Sequence, residues 1–142
     1  MEDISSILNK VDLDIIQLHG NENIDDYTIF NKDIISTIHA SENIQSQLSK
    51  INLNKHMHLI DATDNQMRGG SGITFDWNIL KDLDCEKLFI AGGLKPDNIL
   101  DLLSRYTPKC VDVSSGIERK VGYKDHKIMS DFVETIRTYY EK

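Results

Sequence analysis

The 142 residues are 39% apolar and 27% charged, with 16 basic against 23 acidic side chains and a formal net charge of −7. A chain this apolar is not disordered, and its length suits one domain that buries a core without staples. No window approaches the roughly 18 to 20 uninterrupted apolar residues of a membrane span. Met1 leads into acidic Glu2 and Asp3 instead of a signal peptide, and the acidic balance argues against a general nucleic-acid binder. A single cytoplasmic domain over residues 1–142 is expected, with neither membrane nor nucleic acid as partner. Cys85 and Cys110 are too few for a disulfide framework and lack metal or redox spacing, so both are read as reduced thiols.

Ile4, Ile7, Leu8 and Val11 fall at helical spacing and predict an opening helix. Apolar, β-branched runs then recur at Ile15 to Leu18, Ile34 to Ile38, His58 to Asp61, Leu88 to Ala91 and Val111 to Val113, and predict strands. The run Asp14-Ile-Ile-Gln-Leu18 is apolar enough to suggest burial on both faces. Each gap is expected to hold one helix: Ile44, Leu48 and Ile51 follow the cap candidate Ser41, and Ile99, Leu100, Leu102, Leu103 and Tyr106 follow Pro96. At the end, Ile128, Phe132, Ile136 and Tyr140 make one i, i+4 row with Met129 and Val133 beside it, and predict a helix packed on a sheet. Strands and helices alternating in this way predict an α/β fold with about five parallel strands.

Three predicted strand ends run into turns rich in glycine or hydroxyls. Asp61 precedes Arg68-Gly69-Gly70-Ser71-Gly72; the others are Ala91-Gly92-Gly93-Leu94 and Asp112-Val113-Ser114-Ser115-Gly116. In parallel α/β folds the C-terminal strand edge carries the active site. Glycine lets backbone amides approach an anion closely, so the last two turns together make a candidate phosphate cradle, as (βα)8 barrels build after their seventh and eighth strands. Taken alone, Gly92-Gly93 is more often a tight strand-to-helix turn, and Ser114-Ser115 also reads as a helix cap. Asp61 reads equally as a strand-end cap or as an acid, and a lone His19 reads more often as a packing residue than as a base. Gly69 to Gly72 reads as a flexible connection or as a lid beside the Asp61 carboxylate. No GxxxxGKS, GxGxxG, HExxH or GxSxG pattern is present, which weakens nucleotide, zinc and serine-hydrolase readings.

Four blocks, in order, resemble the phosphoribosylanthranilate isomerase family of tryptophan biosynthesis. They are Asp14-Ile-Ile-Gln-Leu-His-Gly20 with Glu22; Leu59-Ile-Asp-Ala62 with Gly69-Gly-Ser-Gly72 and Phe75-Asp-Trp77; Ala91-Gly-Gly-Leu94 with Pro96 and Asn98; and Val111-Asp-Val-Ser-Ser-Gly-Ile-Glu118 with Gly122, Lys124 and Asp125. The resemblance runs from about residue 2 to 140. It implies a TIM (βα)8 barrel and an Amadori isomerisation of N-(5'-phosphoribosyl)anthranilate, a small phosphorylated substrate, with no metal or cofactor. In that chemistry an acid protonates the furanose ring oxygen, a base takes the C2′ proton and the phosphate is held. The resemblance gives Asp61 the acid's role and makes Gly92, Gly93, Ser114, Ser115 and Gly116 the phosphate cradle. Asp112 and His19 line the same end, and Gly69, Gly70, Ser71 and Gly72 form the mobile cover.

The family's opening strand carries Lys-Ile-Cys-Gly, whose cysteine is the base, and an arginine after its second strand holds the anthranilate carboxylate. Neither is among these residues, and Ser36 or Thr37 stands where the family commonly has lysine. A (βα)8 barrel typically takes about 250 residues. The expectation is therefore a partial barrel of five C-terminal units, lacking the first three strands and weakly active or inactive alone. Its open sheet edges, near Ile15 and Val111, are expected to seek a second copy or an N-terminal fragment. The alternative expectation is a non-catalytic module that binds phosphate or sugar phosphates and needs such a partner to close.

Overall fold

The computed structural model describes residues 2–40, 44–49, 52–53, 55–61 and 75–141. The Ser41 cap, Ile51, Arg68 and the Gly69 to Gly72 cover lie outside the described residues. Helix α1 (Glu2–Leu8) precedes the strands β1 (Ile15–Leu18), β2 (Asp33–His39), β3 (Met57–Asp61), β4 (Leu88–Ile90) and β5 (Cys110–Val111). These form one sheet in the order β1-β2-β3-β4-β5, and each neighbouring pair is parallel. Parallel neighbours need crossovers over the sheet face. Helices α2 (Ile44–Leu48), α3 (Ile99–Arg105) and α4 (His126–Tyr140) lie between or after the strands.

One expected α-helix is replaced by a tighter turn, and the described part of a second connection holds only such turns. Between β1 and β2, Ile24–Phe30 is a 3-10 helix, started by the Asn23 side chain accepting from the Asp25 amide and stopped by Asn31 at φ 50°. Thr28 turns its hydroxyl back onto the Asp25 carbonyl. Asn, Asp and Thr side chains compete locally for backbone partners, which favours such turns over a regular α-helix. In the described part of the β3–β4 connection, Trp77–Leu80 and Cys85–Lys87 are also 3-10 helices. After β5 the chain makes a 3-10 turn (Ser115–Ile117) and an antiparallel hairpin, β6 (Glu118–Lys120) and β7 (Tyr123–Lys124), before α4 begins. Gly122 closes the hairpin at φ 78°.

Register sorts the side chains into two faces, because alternate residues point oppositely along a strand. Ile38, Ile60 and Ile90 lie side by side and join the main core with Ile44, Leu48, Leu80, Ile99, Leu102 and Phe132. Ile35, Leu59 and Ala91 make a second cluster with Met57 and Phe89. Burial on both faces therefore holds for the middle strands, but not for β1, where Ile15 is 40% exposed and Gln17 is exposed. In α4 the row that faces the core is Ile128, Phe132, Ile136 and Tyr139. Tyr139 replaces the expected Tyr140, which is 54% exposed, and Met129 and Val133 are exposed as well. The Tyr139 hydroxyl donates to the Leu103 carbonyl at 2.8 Å, tying α4 to α3. Among the described residues no helix is long and apolar enough to cross a membrane.

Both cysteines are free. Cys85 lies within the core, and burial pushes its thiol up. His58 is fully buried beside Ser36 and Leu88, and that burial holds its imidazole below the ordinary 6.5. The unfolded chain takes up this proton near 6.5 while the folded chain resists it. Stability from this group is thus complete above that pH and is lost as pH falls below it, until the folded imidazole is itself protonated. Urea unfolding between pH 7.5 and 5.5 should show a loss of at most about 1.4 kcal/mol per pH unit from this proton, and His58→Leu should flatten that part of the slope.

Candidate active site

Because the strands are parallel, their C-terminal ends share one edge of the sheet, where the ladder runs out and side chains are free to do chemistry. Asp61 ends β3, and β2 sets His39 opposite it in register. His19 follows β1 directly. The His19 Nε2 lies 3.9 Å from Asp61 Oδ2, too far for a hydrogen bond but close enough for attraction once the imidazole is charged. The Asp61 side chain is 14% exposed and that of His19 is 53% exposed, so the carboxylate sits beneath a more open imidazole. The His19 and His39 rings meet edge to face at 5.4 Å. One layer below, the Gln17 side-chain amide donates to the Thr37 hydroxyl at 3.4 Å.

The two glycine turns are assembled on the neighbouring strand ends. Gly92 and Gly93 take φ 85° and 65°, a left-handed backbone that glycine adopts without strain. Asn98 secures this turn from within: its amide donates to the Gly93 carbonyl and its oxygen accepts from the Lys95 amide, both at 2.9 Å. The Asp112 amide donates to the Ile90 carbonyl at 2.9 Å and extends the β4–β5 pairing to the foot of the next turn. At Gly116 a Cβ would stand 1.7 Å from the Leu94 carbonyl oxygen, so the turns after β4 and β5 touch backbone to backbone.

Ser114 stands at the N-cap of the 3-10 turn Ser115–Ile117 but makes no side-chain capping bond. Lys124, from the hairpin, donates to the Ser114 carbonyl at 2.7 Å and to its hydroxyl at 3.1 Å, and pairs with Glu118 at 2.8 Å. That bond from Lys124, reinforced by the Gly122 amide, holds the Glu118 carboxyl below the usual range. The α4 cap is Asp125, which accepts from the Lys127 and Ile128 amides.

The family profile described as PRAI, N-(5'phosphoribosyl)anthranilate (PRA) isomerase, matches residues 1–135. The chain belongs to this family. A relative from Legionella pneumophila (strain Corby) named N-(5'-phosphoribosyl)anthranilate isomerase is 37% identical over 134 residues, covering 94% of this chain and 65% of the relative. The chain thus spans just under two thirds of that relative's length. The crystal structure of phosphoribosyl anthranilate isomerase from Thermotoga maritima is 31% identical, with a TM-score of 0.79 over 96% of this chain and 68% of that one. A second isomerase structure, in complex with reduced 1-(o-carboxyphenylamino)-1-deoxyribulose 5-phosphate, is 28% identical, with a TM-score of 0.74 over 96% of this chain and 66% of that one.

Within this isomerase-family fold the structure brings His19 to Asp61, and Gly92-Gly93 to the Ser114 to Gly116 turn. Among the described residues no group of three His, Cys, Asp or Glu side chains could hold a metal ion. Sequence reasoning passed over His39 by ending the second strand at Ile38, one residue before the site. It also gave no role to Lys124, although Glu118, Gly122 and Lys124 at hairpin spacing carry a usable signal. Gly116→Ala should separate the two turns and destabilise the fold by about 1–3 kcal/mol. Gly122→Ala, whose added Cβ meets open space but sits at φ 78°, should cost about 1–2 kcal/mol of backbone strain alone. Thermal denaturation compares them, and only Gly116→Ala should broaden the Gly92 and Gly93 amide resonances.

Proposed function

We propose that this chain provides the acid and the phosphate site of an N-(5'-phosphoribosyl)anthranilate isomerase that acts in the cytoplasm in tryptophan biosynthesis. Residues 1–142 then form a single partial (βα)8 barrel whose five strands are the fourth to eighth of the family's barrel. The observation that carries the reading is the junction of two glycine turns on the same strand edge as Asp61. A dianionic phosphate would lie against the amides of Gly92, Gly93, Ser114, Ser115 and Gly116, which attract it by oriented dipoles. Asp61 would protonate the furanose ring oxygen, so that the C1′–O bond breaks and the anthranilate nitrogen's lone pair forms the imine. Loss of the C2′ proton to a base then gives the enol, which becomes the ketone. Asp112 and His19 would line the sugar, and Gly69 to Gly72 would limit water access. None of these steps calls on a metal or a redox cofactor.

The base and the carboxylate anchor belong, on the family's pattern, to a cysteine in Lys-Ile-Cys-Gly and to an arginine, and the 142 residues contain neither motif. On that pattern both groups would come from residues N-terminal to these 142, in the same chain or in a separate fragment, whereas a second copy closing the edges at β1 and β5 would supply neither. The 142-residue chain alone is therefore expected to turn over little phosphoribosylanthranilate. Joined to the first three strands and two helices of a full-length relative it should become active, and Asp61→Asn in that chimera should then lower kcat about 10²- to 10⁴-fold. Turnover by the isolated chain at the rate of the full-length relative would overturn this division of roles.

Phosphate binding is separable from turnover. Ribose 5-phosphate added to the isotopically labelled chain should shift the Gly92, Gly93 and Ser115 amides, and should still do so in Asp61→Asn. Unmoved amides at millimolar ligand would count against the cradle; shifts without turnover in the chimera would favour the non-catalytic sugar-phosphate module.

A further inference from the structure

His39 ends β2 on the face that carries Asp61, directly opposite it in register, and its ring abuts that of His19. Its Nδ1 is buried and, among the described residues, has no hydrogen-bond partner. Buried polar atoms are nearly always satisfied, and leaving one unsatisfied is costly. The strand itself gives no reason for the expense: Ile34, Ile35 and Ile38 are apolar and the buried Thr37 has Gln17 as its partner, whereas His39 Nδ1 has none among the described residues. His58, the other strand imidazole, lies deep within the sheet, where no ligand reaches. His39 differs in standing at the strand end, half-buried, at the edge where the glycine turns also open.

We propose that His39 is a specificity-determining residue whose Nδ1 hydrogen-bonds a hydroxyl of the pentose of a phosphorylated sugar held at the glycine turns. This rests on the phosphate-cradle reading and extends it from the phosphate to the sugar. The chemistry suits a hydroxyl, which donates and accepts and so satisfies a neutral imidazole nitrogen in either tautomer. The span is suitable too. β2 and β4 are two strand spacings apart, about 9.5 Å, comparable to an extended pentose phosphate with a hydrogen bond at each end. Nδ1 has almost no open surface, so the sugar reaches it as the exposed His19 ring that abuts His39 swings aside. Gln17 and Thr37, bonded to one another in the layer below, give the pair a polar floor.

The test compares two ligands, ribose 5-phosphate and inorganic phosphate, by calorimetry on the 142-residue chain and its variants. His39→Leu should weaken ribose 5-phosphate about 5- to 15-fold, the worth of one hydrogen bond, and leave inorganic phosphate within about twofold. His39→Asn, whose amide nitrogen occupies nearly the place of Nδ1, should restore most of the sugar-phosphate affinity. In a histidine side-chain nitrogen spectrum, the His39 Nδ1 signal should move with ribose 5-phosphate and not with phosphate alone. Unchanged ribose 5-phosphate affinity in His39→Leu would overturn the proposal. So would equal losses for both ligands, which would mark a distorted cradle. Absence of phosphate binding by the unsubstituted chain would instead overturn the cradle reading itself.

Discussion

The parallel register of β1 to β5 is the constraint from which the rest of the structure follows. It sends every C-terminal strand end to one edge, and it places His39 against Asp61 and Ile60 against Ile90 in the same step. The alternation that buries the isoleucines among the helices therefore also decides which polar residues emerge together. A slip of one residue between β2 and β3 would turn Ile38 toward the site and His39 into the core. The two large side-chain clusters, one on each face, make that slip expensive, so the hydrophobic pattern fixes the geometry of the polar edge.

At the far end of the sheet the problem is different, because β5 is only two residues long and can hold little by itself. The turn that follows it is fixed by contacts from outside the ladder. Gly116 presses on the Leu94 carbonyl from one side, and Lys124 grips Ser114 from the other while Glu118 neutralises it. The hairpin β6–β7 thus serves as a brace for the preceding turn. Lys124 is already committed to the Ser114 carbonyl and to a carboxylate, so it acts on this turn as a positioning residue and not as a loose cation.

Much of this was legible in the amino-acid order. Strand positions follow from β-branched runs, the parallel class from their spacing, and Asp61 and the glycine turns from what lies at the run ends. What escaped has physical causes. The 3-10 helix over Ile24–Phe30 depends on Asn, Asp and Thr side chains competing for backbone partners, which apolar periodicity does not register. Tyr139 and Tyr140 are equally apolar neighbours, and only the Tyr139 hydroxyl finds Leu103 across the helix pair. β1 reads like a buried strand because its residues are apolar, yet burial of Ile15 requires something on its free side, and sequence composition carries no information about neighbours. His39 was hidden for the simplest reason: strand ends are the least certain part of any pattern, and they are where the chemistry is.

An anion site in a chain of net charge −7 requires attraction that does not depend on net charge. Long-range repulsion of a dianion fades beyond about 8 Å at physiological ionic strength, so only the groups within a few ångströms decide binding. In the proposed cradle those groups are amides, presented by the left-handed Gly92 and Gly93 and by a second turn that the missing Cβ of Gly116 lets pack directly on the Leu94 carbonyl. Their dipoles are fixed by the backbone and cost no reorganisation when the ligand arrives. A cluster of free lysines would bind phosphate more strongly at a distance, but it would also bind any other anion and would be screened by salt. The proposed cradle trades that reach for direction, because Asn98 braces the backbone of one turn and Lys124 that of the other.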